Sequence, residues 1–392
     1  MRRYIRIITG FLALFLLLSA CGGLEAGKMP GPAQTTPSPT PDPTPTPDPI
    51  LERAEAILAG MTAREKLCQL MIVRPEALEG EGSVTAAGEN TKAALAEYPV
   101  GGFIYSTGNL VSREQTAGMI ETAQSYSRLG LFICADEEGG NVGRLMYKLG
   151  TTWFDAMYSY KDQGTEVAYG NANTIGGDML ACRFNTDFAP VADVRSNPKN
   201  AVIGDRAYSD DFSQAAELVA AAVNGFRDSG VICCLKHFPG HGDTLEDSHK
   251  GTATVDKTWD ALLAEEMLTF KSGIAAGADM VMAGHITVPA IDDRPASMSH
   301  TLITGMLRGE LGFDGVVITD GLDMGALEGM TDEEKCLAAL NAGCDLLLGV
   351  SDISGAVAGL EQALSDGRLT AERVDESVLR VLVLKLSHGI AA

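Results

Sequence analysis

Residues 50–392 are predicted to form a (β/α)8 barrel, and three features of the sequence lead there. Eight short runs are almost continuously apolar rather than alternating, the pattern of parallel strands covered on both faces. Segments of helical composition lie between the runs, and several end in Gly, the common stop residue of a helix. The eight units fill roughly 340 residues, a normal length for one barrel with insertions.

In chain order the runs are LCQLMIV (67–73), GGFIYS (101–106), LFICAD (131–136), FNTDFAPV (184–191), VICCLKH (231–237), ADMVMAGH (278–285), GVVITD (315–320) and CDLLLGV (344–350). Helical segments include SREQTAGMIETAQSYSRLG, DFSQAAELVAAAVNGFRDSG, WDALLAEEMLTFKSGIAAG and DEEKCLAALNAG, with a closing helix expected over 371–388. The rival architecture is a doubly wound open sheet. It lacks support because no Gly-rich dinucleotide turn follows the first strand.

Residues 1–21 stand apart from the fold. Arg2, Arg3 and Arg6 precede the apolar stretch IITGFLALFLLL, which is short for a comfortable bilayer span. LSAC (18–21) then resembles a bacterial lipoprotein signal, implying cleavage before Cys21 and lipid on its thiol. An ordinary secretory signal would also place the domain outside the cytoplasm. Residues 22–49 form a linker in which nine of the 16 prolines alternate with small polar residues, excluding helix and sheet. About twenty such residues reach on the order of 60 Å as an extended, semi-rigid stalk.

Composition narrows the function classes. With 45% hydrophobic residues the chain can build a large core, and a net charge of −22 repels nucleic-acid phosphates. Apart from Cys21, seven cysteines sit mostly in apolar runs, and no pair has the spacing of zinc ligands. They read as buried thiols; a disulfide or two remains open, and no metal or organic cofactor is expected.

Active sites of this fold gather at the C-terminal ends of the strands. Here the apolar runs end in Asp136, in Lys236 with His237, in His285 and in Asp320. A buried strand end needs no charge, and an unpaired one is costly. Four such ends therefore mark a pocket, with Arg144, Arg206 and Lys236 as candidate donors. The stretch KHFPGHGDTLEDSHK (236–250) adds three of the six histidines and three acids. Its Pro and Gly residues suit a loop. There is no G-x-S-x-G elbow. Paired carboxylates suggest glycoside hydrolysis, with one group attacking the sugar and another protonating the leaving oxygen.

An ordered series of motifs then gives a resemblance over roughly residues 50 to 390: MTAREKLCQLMIV, DEEGGNVGRL, IGDRAYSDD, KHFPGHGDTLEDSH, GADMVMAGHI, PASMS and GFDGVVITDGLDMGAL. The chain resembles family 3 glycoside hydrolases, in the branch of β-N-acetylhexosaminidases that trim cell-wall sugars. The resemblance implies that Asp320 is the nucleophile of a retaining mechanism. It implies an acid/base dyad of His249 and Asp247 on a mobile loop, the imidazole titrating near neutrality and Asp247 orienting it and raising its pKa. Asp136, Arg144, Arg206, Lys236 and His237 are implied to grip sugar hydroxyls. His241 is expected to shape the loop and His285 to line the floor. The family often carries another acid where Gly321 stands, a departure expected to leave Asp320 unaffected.

The expected activity is an exo-β-N-acetylglucosaminidase releasing terminal β-linked N-acetylglucosamine from peptidoglycan fragments or related glycans. The enzyme is expected as a lipid-anchored monomer on the extracellular face of the membrane, or in the periplasm. A phosphorylase using the same residues is the alternative, since a His acid/base repels incoming phosphate less than a carboxylate does. A β-glucosidase is disfavoured because those relatives commonly take their acid/base from a second domain, for which no length is expected here. A non-catalytic wall-binding lipoprotein is disfavoured because Asp320 and His249 are both present.

Overall fold

In the computed structural model, residues 48–80, 82–244, 251 and 253–391 are described. Each of the eight apolar runs contains one barrel strand: β1 (Met71–Val73), β2 (Gly102–Ile104), β3 (Phe132–Ala135), β4 (Thr186–Asp187), β5 (Ile232–Phe238), β6 (Met280–Ala283), β7 (Val316–Thr319) and β8 (Leu347–Leu348). Every residue of these strands is buried, as expected of parallel strands covered on both faces.

Neighbouring strands pair in parallel from β1 to β7, and Met71 of β1 pairs with Leu347 of β8. A parallel bridge between Ile318 and Leu346 joins β7 to β8, with the Thr319 N–H donating to the Leu346 carbonyl at 3.0 Å. That contact completes the ring and excludes the open doubly wound sheet.

The helices outside the ring follow local chemistry. Arg113–Tyr126, Phe212–Ser229 and Asp332–Ala342 start at Ser112, Asp211 and Thr331, whose side chains accept backbone N–H groups. Phe212–Ser229 and Asp332–Ala342 stop at Gly230 and Gly343 in the left-handed region. The segment expected as one helix over 259–277 is two, Trp259–Ala264 and Met267–Ala276. Glu265 breaks it with non-helical angles, and Lys257 ties down Glu265 and Glu266 at 2.7 and 2.5 Å. The closing helix runs Ala371–Ser387.

Between Leu235 and Phe238 the β5–β6 register gains one residue on β5. Such a bulge bends the strand and re-aims its side chains; here it contains Lys236 and His237. The seven cysteines from Cys68 onward are all buried and free, as thiols in apolar runs should be. No described helix is long and apolar enough to cross a membrane.

Candidate active site

The strand ends converge on one charged rim. Asp136 follows β3 directly, and its Oδ1 accepts from Lys236 Nζ at 2.8 Å while its Oδ2 accepts from Arg144 at 3.1 Å. Glu138, two residues on, is almost fully buried; it takes two parallel bonds from Arg206 at 2.8 and 2.9 Å and lies 2.5 Å from Lys236 Nζ. Lys236 thus sits between two carboxylates, and Arg206 clamps one of them. Burial alone would raise the pKa of Glu138, but the Arg206 and Lys236 charges outweigh it and lower it to about 2. Burial works against the Lys236 charge, yet Asp136 and Glu138 more than offset it and raise its pKa. The result is a fixed set of ionised groups that can only donate to or accept from a ligand.

The acids of DEEGG divide the labour. Glu137 accepts the N–H groups of Arg144, Leu145 and Met146 at 2.6, 2.8 and 2.8 Å. It thereby caps the short helix Leu145–Lys148 and fixes the backbone that carries Arg144.

His237 and His241 are organised by Asp193, a buried carboxylate beyond β4. Asp193 Oδ2 accepts from His237 Nδ1 at 2.7 Å, and Oδ1 accepts from the His241 N–H at 2.6 Å. The His237 ring therefore carries its proton on Nδ1, leaving Nε2 without a hydrogen-bond partner among the described residues. Burial, then the His237 charge, lowers the pKa of His241. Gly240 and Gly242 are required here: Gly240 has φ 125°, and a Cβ on Gly242 would meet the Val194 carbonyl oxygen at 1.7 Å.

Asp320 is the first residue after β7 and is half-buried. Its backbone N–H donates to Ala283, and its Oδ1 accepts from the Gly321 N–H at 2.8 Å. Oδ2 has no hydrogen-bond donor among the described residues. Burial would raise this carboxyl, but the facing His237 and His285 rings, the Gly321 N–H and Lys236 outweigh it and lower its pKa. An ionised carboxylate with one oxygen fixed and the other free is poised to attack an electrophilic carbon.

His285 supports this arrangement from below. Its Nε2 lies 2.9 Å from the Gly321 carbonyl, which can only accept, so Nε2 carries the proton and Nδ1 accepts from Ser297 Oγ at 2.8 Å. Gly321 holds Asp320 through its N–H and His285 through its C=O, and a Cβ there would lie 2.8 Å from Asp323 Oδ1. A side chain at this position needs Asp323 to move.

The structure thus brings together Asp136, Arg144, Arg206 and Lys236 through Glu138. It couples His237 to Asp320 electrostatically. His249 and Asp247 lie outside the described residues, as does Cys21. Glu138 and Asp193 were not singled out from the sequence. Their signal was an acid two residues beyond Asp136 and an acid just past the fourth apolar run, FNTDFAPV. No group of three or more His, Cys, Asp or Glu side chains among the described residues is placed to hold a metal ion.

A closed parallel barrel with an ionised carboxylate and a lattice of paired charges at its C-terminal rim is the architecture of a barrel enzyme with its site at the strand ends. The chain matches the sequence profile described as the glycosyl hydrolase family 3 N terminal domain over residues 62–384, and it belongs to that family. It is similar to Beta-hexosaminidase A of Pseudoalteromonas piscicida, 34% identical over 322 residues that make up 74% of this chain and 54% of that protein. It therefore spans about half the length of that relative. Beta-hexosaminidase LpqI of Mycobacterium tuberculosis is 33% identical over 340 residues, 84% of each chain. Among solved structures, a glycoside hydrolase family 3 beta-N-acetylglucosaminidase from a Paenibacillus species superposes with a TM-score of 0.79 at 36% identity, covering 84% of this chain and 63% of that one.

Proposed function

We propose that this protein is a retaining exo-β-N-acetylglucosaminidase that releases terminal β-linked N-acetylglucosamine from peptidoglycan fragments or related glycans. The observation that carries this reading is the Asp320 carboxylate, held ionised at the end of β7 with Oδ2 unpartnered among the described residues. Kinship with beta-hexosaminidases from several bacteria supports the choice of sugar.

In the first step Asp320 Oδ2 attacks the anomeric carbon as His249, charged and oriented by Asp247, gives its proton to the leaving oxygen. A covalent glycosyl-enzyme forms and the aglycone departs. In the second step His249 takes a proton from water, the water oxygen bonds to the anomeric carbon, and Asp320 leaves as carboxylate. Asp136, Arg144, Arg206, Lys236 and His237 hold the sugar hydroxyls through charge-assisted hydrogen bonds. The protein acts as a monomer outside the cytoplasm, tethered by lipid on Cys21 through the proline-rich stalk.

The test is hydrolysis of an aryl β-N-acetylglucosaminide against the matching β-glucoside, with and without phosphate, by wild type, Asp320→Ala and His249→Ala. Wild type is expected to prefer the N-acetylglucosaminide and to release the free sugar. Either substitution is expected to abolish most turnover. Near-wild-type rates in both variants overturn the role assignments, and N-acetylglucosamine 1-phosphate as product identifies a phosphorylase instead. Labelling by fatty acid that persists in Cys21→Ala contradicts the anchor.

A further inference from the structure

The loop after β3 that carries Asp136, Glu138 and Arg144 also carries two large aromatic side chains that face water. Tyr147 is 48% and Trp153 56% exposed. Their rings lie edge to face with centroids 5.1 Å apart, a favourable aromatic geometry. Exposed as they are, both are held. The Tyr147 hydroxyl donates to the Gly140 carbonyl at 2.8 Å, and the Gly140 N–H donates to the carbonyl of Phe154, the residue after Trp153, at 2.9 Å. The Thr152 N–H is fixed by Asp178 at 2.8 Å. Gly140 has φ 57°, and a Cβ on it would lie 2.7 Å from the Ala156 Cβ. The two arms of the loop are therefore in direct contact.

Sequence and local structure tie this pair to the rim. Tyr147 lies three residues beyond Arg144, the N-cap residue whose guanidinium holds Asp136. Tyr147 bonds to Gly140, two residues from the Glu138 that clamps Arg206. The exposed Trp153 ring, with the Tyr147 ring standing at 85° beside it, makes a patch about the size of one sugar, far below the roughly 800 Å² per partner that a stable protein interface buries. The residues Lys148, Thr152 and Asp155 around them are exposed and polar.

We propose that Trp153, braced edge to face by Tyr147, is a stacking platform for the pyranose ring on the leaving-group side of the scissile bond, an inference that rests on the glycosidase function proposed above. Axial C–H bonds of a pyranose carry partial positive charge and meet the negative face of an aromatic ring, while its equatorial hydroxyls stay in water. The charged rim grips the terminal sugar, and the platform takes the next sugar of the chain. The platform thus selects a saccharide aglycone over a small one.

The experiment compares kcat/KM for the β-1,4-linked N-acetylglucosamine disaccharide with kcat/KM for β-N-acetylglucosaminyl fluoride, whose leaving group is too small to reach the platform. The ratio is expected to fall about 10-fold in Trp153→Ala, equivalent to about 1.4 kcal/mol, and to recover in Trp153→Phe, which keeps a ring. An unchanged ratio in an active Trp153→Ala enzyme overturns the platform. Trp153 and Trp259 are the only tryptophans, so in Trp259→Phe the emission reports Trp153 alone. Saturable change on adding the disaccharide is expected; emission that does not move overturns the proposal. If wild type hydrolyses neither substrate, the glycosidase function fails while the emission still tests saccharide binding. Sedimentation showing a wild-type dimer that Trp153→Ala dissociates assigns the rings to a second copy of the chain and overturns the platform too.

Discussion

The two ends of the barrel both bury charge, but they satisfy it differently. At the N-terminal end, Asp345 is fully buried and accepts from Arg308 at 2.5 Å, Arg373 at 2.9 Å, Ser377 at 2.8 Å, Arg380 at 3.2 Å and the Val317 N–H at 2.9 Å. Further along the closing helix, Lys385 donates to Gln69 at 2.9 Å and to the Gly130 carbonyl at 2.8 Å, with its ammonium 4.9 Å from the Phe132 ring centre. Three guanidinium groups converge on Asp345, and Lys385 is satisfied by its own separate acceptors. At the C-terminal end, among the described residues, Asp320 keeps one oxygen without a donor and His237 keeps Nε2 without a partner. Among the same residues, the base leaves only donor nitrogens, Arg308 Nε and Arg373 Nε, unpaired inside its packing, so what marks the rim is an open carboxylate oxygen and imidazole nitrogen rather than burial of charge.

The sharpest way to break this contrast is to truncate one carboxylate at each end. Asp320→Ala is expected to lower kcat on an aryl β-N-acetylglucosaminide on the order of 10⁴-fold, while the melting temperature moves by no more than about 2 °C. Asp345→Asn is expected to do the reverse. It leaves three guanidinium groups around a neutral amide and costs about 3–5 kcal/mol in denaturant unfolding, with kcat per folded molecule retained. Large stability loss in the first or large kcat loss in the second erases the distinction.

Glu138 sharpens it, because it belongs to the rim yet serves as internal counter-ion. Its folded pKa is lowered from 4.5 to about 2, so the unfolded chain binds more protons between those values. The stability it contributes is full above pH 4.5 and is lost as pH falls towards 2, on the order of 3 kcal/mol. Urea unfolding of Glu138→Gln should show that this part of the acid sensitivity has gone. Glu138→Gln is also expected to raise KM, since Arg206 and Lys236 lose their shared partner.

Lys385 carries the contrast into the alkaline range. Burial lowers its pKa from 10.5 to about 7, so the unfolded chain binds the extra proton between those values. Wild-type stability therefore gains up to about 1.4 kcal/mol per pH unit as pH rises from 7 to 10.5. Lys385→Met should lack that gain when unfolding midpoints are compared across the window. An equal slope in both proteins contradicts a buried amine that sheds its proton.

The same contrast explains what could be read from the chain. All eight strands were legible, because burial on both faces leaves unbroken runs such as CDLLLGV and GVVITD. Asp136, Lys236, His237 and Asp320 were legible because a charge abruptly ended such a run. Glu138 was not: in DEEGG three neighbouring acids point to three tasks, and only the fold decides which one caps a helix and which one clamps Arg206. Asp193 was missed for a related reason, since its partners His237 and His241 are more than forty positions away. The break at Glu265 was hidden because AEEM has good helical propensity, which the tether to Lys257 overrides.

The most direct measurement is peptide mapping after wild-type enzyme has been incubated with a slow-turnover fluorinated N-acetylglucosaminide that accumulates the covalent intermediate. A mass increase of one sugar on the peptide containing Asp320, absent in Asp320→Ala, is the predicted result. The sugar on any other carboxylate, or turnover with no adduct at any time, contradicts Asp320 as the attacking group.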